Sequence, residues 1–188
     1  VYTKISAKDI SALSNKFNIG RIVKFQGIKQ GIENTNYLLK TNKRKYILTI
    51  FEKRVQKKDL PFFMKLMDKL NSQKINCPKP LKDKNGKYLM QIKKKTACIV
   101  TFLDGKDKQT LNTKNCYEIG KNIARFHIAS NKTKLYRKNS MSINNLGSLL
   151  KSINFKSNVI NSNLKIVLKN NLKEIKRNWP TNLHQGVI

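Results

Sequence analysis

The fold is decided by residues 25–39, which read FQGIKQGIENTNYLL. Gly27 and Gly31 separate two segments rich in β-forming residues, so the stretch predicts two strands joined by a glycine-bracketed turn. Backbone N–H groups in such a turn can approach the phosphates of a nucleotide, although a plain hairpin turn explains the same pattern. Asn34 and Asn36 lie two residues apart and therefore share one face of the second strand, towards either a cleft or solvent.

The neighbouring segments extend this hairpin into a sheet with packed helices. A capping box at Ser6 and Asp9 begins a first helix, and Asp59 with Pro61 begins a second one. Asn85-Gly86 is a strong hairpin signal, because both residues tolerate the backbone angles of a tight turn. Runs of β-forming residues predict strands at 21–26, 33–41, 45–51 and 87–92, and the nearly continuous apolar run within 96–103 predicts a central strand.

The pattern changes from strands to helices after Asp104 and Gly105. Apolar residues at helical spacing predict helices from Asn112 or Thr113 onward, over 144–153 and over 163–179. The fold class is therefore α+β, with an N-terminal antiparallel sheet and helix followed by a helical part.

Composition excludes some classes of protein and leaves others open. The net charge of +30 invites a nucleic-acid interpretation, but Lys is spread over every segment and Arg, which usually reads phosphates and bases, is scarce. We therefore expect weak, salt-sensitive attraction to polyanions and no specific nucleic-acid binding. The three cysteines match no zinc or redox spacing, and no apolar run suggests a signal peptide or membrane span, so a cytoplasmic protein is expected.

Several stretches resemble one known family in the same order along the chain. Residues 25–39 resemble the nucleotide loop and second strand of the aminoglycoside-phosphotransferase-like family, which has a protein-kinase-like fold. Other segments of this family resemble residues 1–3, 46–54, 59–63, 99–105 and 120–127 of the chain. The resemblance is closer to one branch, the bacterial homoserine kinases.

The resemblance implies a bilobal architecture and an ATP site. Residues 1–103 would form the nucleotide-binding N-lobe, and residues 104–188 would begin a helical C-lobe that is incomplete before the catalytic loop. Thr101 and Leu103 would offer a carbonyl and an N–H to adenine, unless they form an ordinary strand-to-helix connector. The implied ATP-binding residues are Gly27, Gln30, Gly31, Asn34, Asn36, Thr49, Lys53, Thr101 and Leu103.

One departure from kinase-like folds concerns the phosphate-binding cation. Such folds place a Lys on the third strand, paired with an acid from a helix. The expected position here is Thr49, as in the homoserine kinase branch. Lys53 or Arg54 could replace that lysine, steadied by Glu52 or Asp59, although solvated surface charges explain all four residues as well.

Catalytic groups are not found within the sequence. No His-x-Asp-x-x-x-x-Asn loop is present, and the resemblance implies that the base and the Mg²⁺ ligands follow Ile188. The 188-residue chain alone is therefore expected to lack activity. His127 lies on the apolar side of its helix and fits a packing role, and His184 is given no chemistry.

The function implied for the intact protein is ATP-dependent phosphorylation of L-homoserine to O-phospho-L-homoserine, in threonine biosynthesis. Its partners would be ATP, Mg²⁺ and L-homoserine, and the sequence leaves the oligomeric state open. Three alternatives remain: another small-molecule kinase of the choline or aminoglycoside type, a basic nucleic-acid-binding protein, and a degenerate kinase without activity. The acceptor substrate rests on the resemblance alone.

Overall fold

The computed structural model describes residues 2–29, 33–52, 55–153, 162–182 and 186. Sheet and helices follow the order expected from the sequence, with a short 3₁₀ helix (Lys57–Asp59) leading into α2. The strands are β1 (Ile22–Ile28), β2 (Asn34–Thr41), β3 (Lys45–Phe51), β4 (Leu89–Ile92) and β5 (Lys95–Thr101). The helices are α1 (Ala7–Phe17), α2 (Leu60–Ser72), α3 (Thr113–Asn131), α4 (Ile143–Ser152) and α5 (Ser162–Arg177).

The five strands form one antiparallel sheet in the order β1-β2-β3-β5-β4. The chain passes from β3 through α2 before it returns to pair β5 with both β3 and β4, so β5 is an inner strand. Five of its seven residues are buried, which explains the continuous apolar run in its sequence. The expectation of a central strand here is confirmed.

Alternating side chains give the sheet two covered faces. One face packs against α1 through buried side chains that include Ile10, Leu13, Phe17, Leu39, Leu48, Ile50 and Ile99. The opposite face packs against α2 around Met64, Cys98 and Val100, with partly buried Ile47, Phe51, Phe63 and Met67. Cys98 is a core residue that is 2% exposed, and its burial raises the pKa of the thiol to about 12.

Local sequence signals mark the start of α1, α2 and α3. Ser6 and Asp9 form the expected capping box at α1, and Asn112 forms another with Asn115 at α3. Asp59 is the N-cap position of α2 and Pro61 lies in the first turn, as predicted, but the Asp59 side chain does not cap the helix. Asp59 is the last residue of the 3₁₀ helix, its backbone is already helical, and its side chain makes no cap hydrogen bond.

The hairpin predicted at Asn85-Gly86 does not form, whereas β4 and β5 are joined where the sequence predicts a turn, between the strands expected at 87–92 and 96–103. Gly86 has a φ of +75° and its N–H donates to the Asp83 carbonyl (2.9 Å), so Asn85-Gly86 is a tight turn, but no strand precedes it. The two-residue hairpin loop is Lys93-Lys94, both with positive φ (50° and 62°). Tertiary pairing therefore overrides the preference of such loops for Asn and Gly.

The described chain divides into two compact units, one reaching Tyr136 and the other running from Arg137 to Gly186. In the first unit, α3 packs on α2 through Leu66, Leu70 and Ala129, while Ile119 and Ile123 of α3 are about half exposed (47% and 50%). The second unit contains α4 and α5. Among the helices of the described residues, none is both long and apolar enough to cross a membrane.

Candidate nucleotide site

Two of the predicted site residues are joined by a direct hydrogen bond. The register of β2 and β3 sets Asn36 opposite Thr49, and the Thr49 hydroxyl donates to Asn36 Oδ1 at 2.8 Å. Both side chains are partly buried, on the face of the sheet that α2 covers further along. The sequence predicted that Asn34 and Asn36 share a face, but it gave no sign that Thr49 contacts either one.

Asn34 lies two residues earlier on the same face of β2, opposite Phe51. Its Oδ1 atom is shielded from solvent and has no hydrogen-bond partner among the described residues. An unsatisfied buried carbonyl oxygen costs about 1–3 kcal/mol, so a ligand that brings a donor to this position would relieve that cost.

The glycine segment differs from the expected turn in one respect. Strand β1 continues to Ile28, so Gly27 lies inside the ladder opposite Tyr37, and Ile28 lies opposite Asn36. The expectation that Gly27 brackets the turn is therefore wrong, because cross-strand pairing extends the strand past it. Gln30 and Gly31, the other predicted residues of this loop, lie outside the described residues.

The segment that leaves β5 contains the two predicted hinge residues. The Thr101 N–H donates to the Lys79 carbonyl (2.9 Å), and the Thr101 hydroxyl accepts from the Lys79 N–H (2.9 Å). The Thr101 N–H is therefore already used, and the carbonyl oxygen is the group that the resemblance assigns to adenine. Leu103 follows outside the strand and is 40% exposed.

Lys45, the first residue of β3, holds this segment in three ways. Its carbonyl accepts from the Phe102 N–H (3.3 Å), its ammonium lies over the Phe102 ring, and the same ammonium pairs with Asp104 at 3.2 Å. The contacts join residues more than fifty positions apart. The role of Lys45 cannot be predicted from the sequence, because one lysine among many carries no local signal.

The spacing of these residues fits an extended nucleotide. Thr101 lies opposite Tyr46, and Thr49 lies three residues further along β3, which is about 10 Å at the rise of a strand. Ile47 and Leu38, a cross-strand pair, lie between them on the same face as Thr49 and Asn36. A base at the hinge would therefore extend across an apolar pair and bring its phosphates towards the polar pair.

Of the residues predicted to replace the strand-three lysine and to steady it, the structure describes Glu52 but neither Lys53 nor Arg54. Among the described residues, Glu52 is bound by Lys95, whose ammonium contacts Glu52 Oε2, while the hydroxyls of Thr3 and Thr35 each donate to Oε1 at 2.6 Å. Burial raises the pKa of Glu52, but these hydrogen bonds outweigh it and lower the pKa to about 2.

The described residues include one histidine, His127, and no group of side chains that could bind a metal ion. His127 is half-buried and makes an edge-on contact with the Phe126 ring at 5.9 Å between centroids, which fits the expected packing role. His184 lies outside the described residues. Within the described ranges, no three His, Cys, Asp or Glu side chains are grouped so that they could hold a metal ion.

Solved structures with a similar fold are phosphotransferases. A spectinomycin phosphotransferase in complex with ADP and spectinomycin superposes with a TM-score of 0.55 at 15% identity, over 93% of this chain and 56% of that one. Its AMP-bound complex gives a TM-score of 0.51 at 18% identity with the same coverage. At these identities the likeness shows the fold alone, which is the aminoglycoside-phosphotransferase-like fold expected from the sequence.

The sequence pattern of the phosphotransferase enzyme family matches residues 24–187, and the chain belongs to that family. It is 35% identical to a homoserine kinase of Bradyrhizobium diazoefficiens over 189 residues. It is 34% identical to a homoserine kinase of Rhizobium etli over 188 residues. Both alignments cover all of this chain but only 58% and 59% of the relatives, respectively. The resemblance to the family and to its homoserine kinase branch is thus confirmed.

Proposed function

We propose that the intact protein transfers the γ-phosphoryl group of ATP to the hydroxyl group of L-homoserine. The observation that carries the proposal is the identity of 34–35% with homoserine kinases over the entire chain. The fold and the row of polar and apolar groups between the hinge and Asn36 support the nucleotide half of it. The chain spans 58% of the length of the first relative, so the acceptor half rests on similarity alone.

On this proposal the described residues bind the nucleotide, and residues outside this chain catalyse the phosphoryl transfer. We assign the adenine edge to the Thr101 carbonyl and the Leu103 N–H, and the phosphate end to Asn34, Asn36 and Thr49. The predicted Gly27, Gln30, Gly31 and Lys53 belong to the same proposal. Because phosphoryl transfer depends mainly on positioning and on charge stabilisation, a nucleotide fixed at both ends is the part of the reaction that this region can supply.

The catalytic base and the metal ligands belong, on this proposal, to the region of the relatives that the chain does not span. Mg²⁺ is the usual partner of ATP in phosphoryl transfer and neutralises its phosphates. The described residues hold no cluster of acids or histidines that suits a divalent cation, so no metal ligand is assigned here. The 188-residue chain alone is therefore proposed to be inactive.

An acceptor panel tests the function directly. The intact protein is incubated with ATP and Mg²⁺ and with L-homoserine, D-homoserine, choline or spectinomycin, and both ADP release and the phosphorylated product are measured. We expect turnover with L-homoserine and only background release with the other three. Faster turnover with choline or spectinomycin would assign the protein to another small-molecule kinase, and no turnover with any acceptor would overturn the kinase proposal.

A further inference from the structure

Two neutral residues, Asn36 and Thr49, occupy the place that the resemblance gives to the phosphate-binding lysine of kinase-like folds. That lysine normally lies on the third strand of the sheet and reaches the phosphates of ATP. The resemblance assigns this position to Thr49, which cannot carry a charge and whose hydroxyl donates to Asn36 on the neighbouring strand. The question is therefore which group of this pair could bind a phosphate.

The hydrogen bond from Thr49 to Asn36 determines which way the Asn36 amide points. An Asn side chain carries its acceptor oxygen and its two N–H donors on opposite branches of one planar group. Because Thr49 donates to the oxygen, the orientation of the nitrogen is fixed as well. Among the described residues, the hydrogen bonds of the Asn36 side chain involve only that oxygen, so its N–H groups remain available for a ligand.

The setting of the pair favours an anionic ligand. Amide N–H groups donate well to phosphate oxygens, and a donor that is already oriented loses less conformational entropy on binding. Asn36 and Thr49 are partly buried, and they lie on the route from the hinge across Leu38 and Ile47. A partly shielded site strengthens each hydrogen bond relative to bulk water.

We infer that Asn36 is a phosphate-binding residue that replaces the strand-three lysine with a neutral donor, and that Thr49 is the positioning residue that turns the Asn36 amide towards the nucleotide. The inference rests on the proposed nucleotide site and deepens it. It assigns the recognition of the phosphate to two N–H groups instead of a cation. It also gives the two residues separate roles, which separate variants can distinguish.

The experiment measures binding of ATP and of adenosine to the intact protein and to four variants. Asn36→Asp keeps the acceptor for Thr49 but replaces the N–H donors with a negative charge, and Thr49→Val keeps the shape of the side chain but removes the hydroxyl. Thr49→Ser restores the hydroxyl. Thr133→Val is the matched control, because Thr133 is buried and its hydroxyl donates to the Ser130 carbonyl (2.7 Å) at the end of α3.

We expect Asn36→Asp to weaken ATP binding by roughly tenfold or more, the usual effect of losing a hydrogen bond to a charged group. Thr49→Val should weaken it by about fivefold, because it removes one neutral hydrogen bond that orients the amide. Adenosine binding should change less than twofold, because adenosine has no phosphates. Thr49→Ser and Thr133→Val should bind ATP like the parent protein. The weakening by Thr49→Val should be the same at low and high salt, because no cation is removed.

Two results would overturn the inference while leaving the proposed function intact. If ATP and adenosine affinities fall together in Asn36→Asp and Thr49→Val, the pair only supports the sheet. If neither variant changes ATP binding, another group holds the phosphates. If the parent protein binds neither ATP nor adenosine, the proposed function itself fails, and the inference fails with it.

Discussion

The ammonium of Lys45 lies 5.1 Å from the centre of the Phe102 ring, so the first residue of β3 holds the segment that leaves β5. The same ammonium reaches Asp104, and the backbone of Lys45 accepts from the Phe102 N–H. Because the proposed adenine contacts at Thr101 and Leu103 flank Phe102, these interactions set the geometry of the hinge. Their strength is modest, because the Lys45 side chain is about half exposed.

Replacing Lys45 with Met tests this role. Loss of the cation over the ring and of the pair with Asp104 should raise the KM for ATP about two- to fivefold and leave kcat nearly unchanged, as expected for an exposed cation–π contact. Steady-state kinetics of the intact protein measure both constants. Lys40→Met is the matched control, because Lys40 lies opposite Lys45 in the ladder and is exposed. Equal effects of the two variants would contradict the prediction.

Glu52 fastens the N-terminal segment to the sheet. Its carboxylate accepts from Lys95, Thr3 and Thr35, and the Thr35 hydroxyl in turn accepts from the Thr3 N–H (3.0 Å). Glu52→Gln should lower the free energy of unfolding by about 1–3 kcal/mol, because a nearly buried group loses charged hydrogen bonds. Denaturant unfolding measures this value. Glu118→Gln, at an exposed acid of α3, makes the same change of charge and should have almost no effect.

Acid should remove the contribution of Glu52 over a defined pH range. The pKa of Glu52 is lowered from 4.5 to about 2 in the folded protein, so the unfolded chain binds the proton first as the pH falls. The stabilisation is complete above pH 4.5 and declines as the pH falls towards 2. The difference in unfolding free energy between the parent protein and Glu52→Gln should therefore narrow over this range. A constant difference down to pH 2.5 would contradict it.

The capping box of α1 should contribute measurably to stability. Ser6→Ala removes the hydroxyl that accepts from the Asp9 N–H and should cost about 1 kcal/mol of unfolding free energy. Ser11→Ala is the matched control inside the same helix, where the Ser11 hydroxyl donates only to the Lys8 carbonyl. This control should be neutral or slightly stabilising, because Ala has the better helix propensity. Thermal or denaturant unfolding of both variants gives the comparison.

Much of the fold could be predicted because its signals are local. The capping box of α1, the alternating strands and the buried run of β5 depend on residues within a few positions of each other, and they were predicted correctly. The hairpin at Asn85-Gly86 was not, because this tight turn has no strand before it, and the Asp59 side chain makes no cap hydrogen bond although α2 begins directly after it as predicted.

The candidate site could be predicted only as separate residues. Alternation along β2 places Asn34 and Asn36 on one face, but the contact between Asn36 and Thr49 depends on the register between two strands. Lys45 with Asp104, and Glu52 with Lys95, join residues that lie 59 and 43 positions apart. Such pairs appear only after the sheet is assembled, and a sequence with many lysines does not indicate which of them has a partner.

The two lysines at the β4–β5 hairpin have a consequence for the order of folding. Lys93 and Lys94 both adopt left-handed backbone angles, which are unfavourable for residues with a side chain, so this hairpin gains little stability by itself. We expect β1, β2 and β3, joined by a short polar turn between β2 and β3, to assemble first and to recruit β5 later. Strand β4, at the edge of the sheet, would close last, and its amide protons should be among the first in the sheet to exchange with solvent.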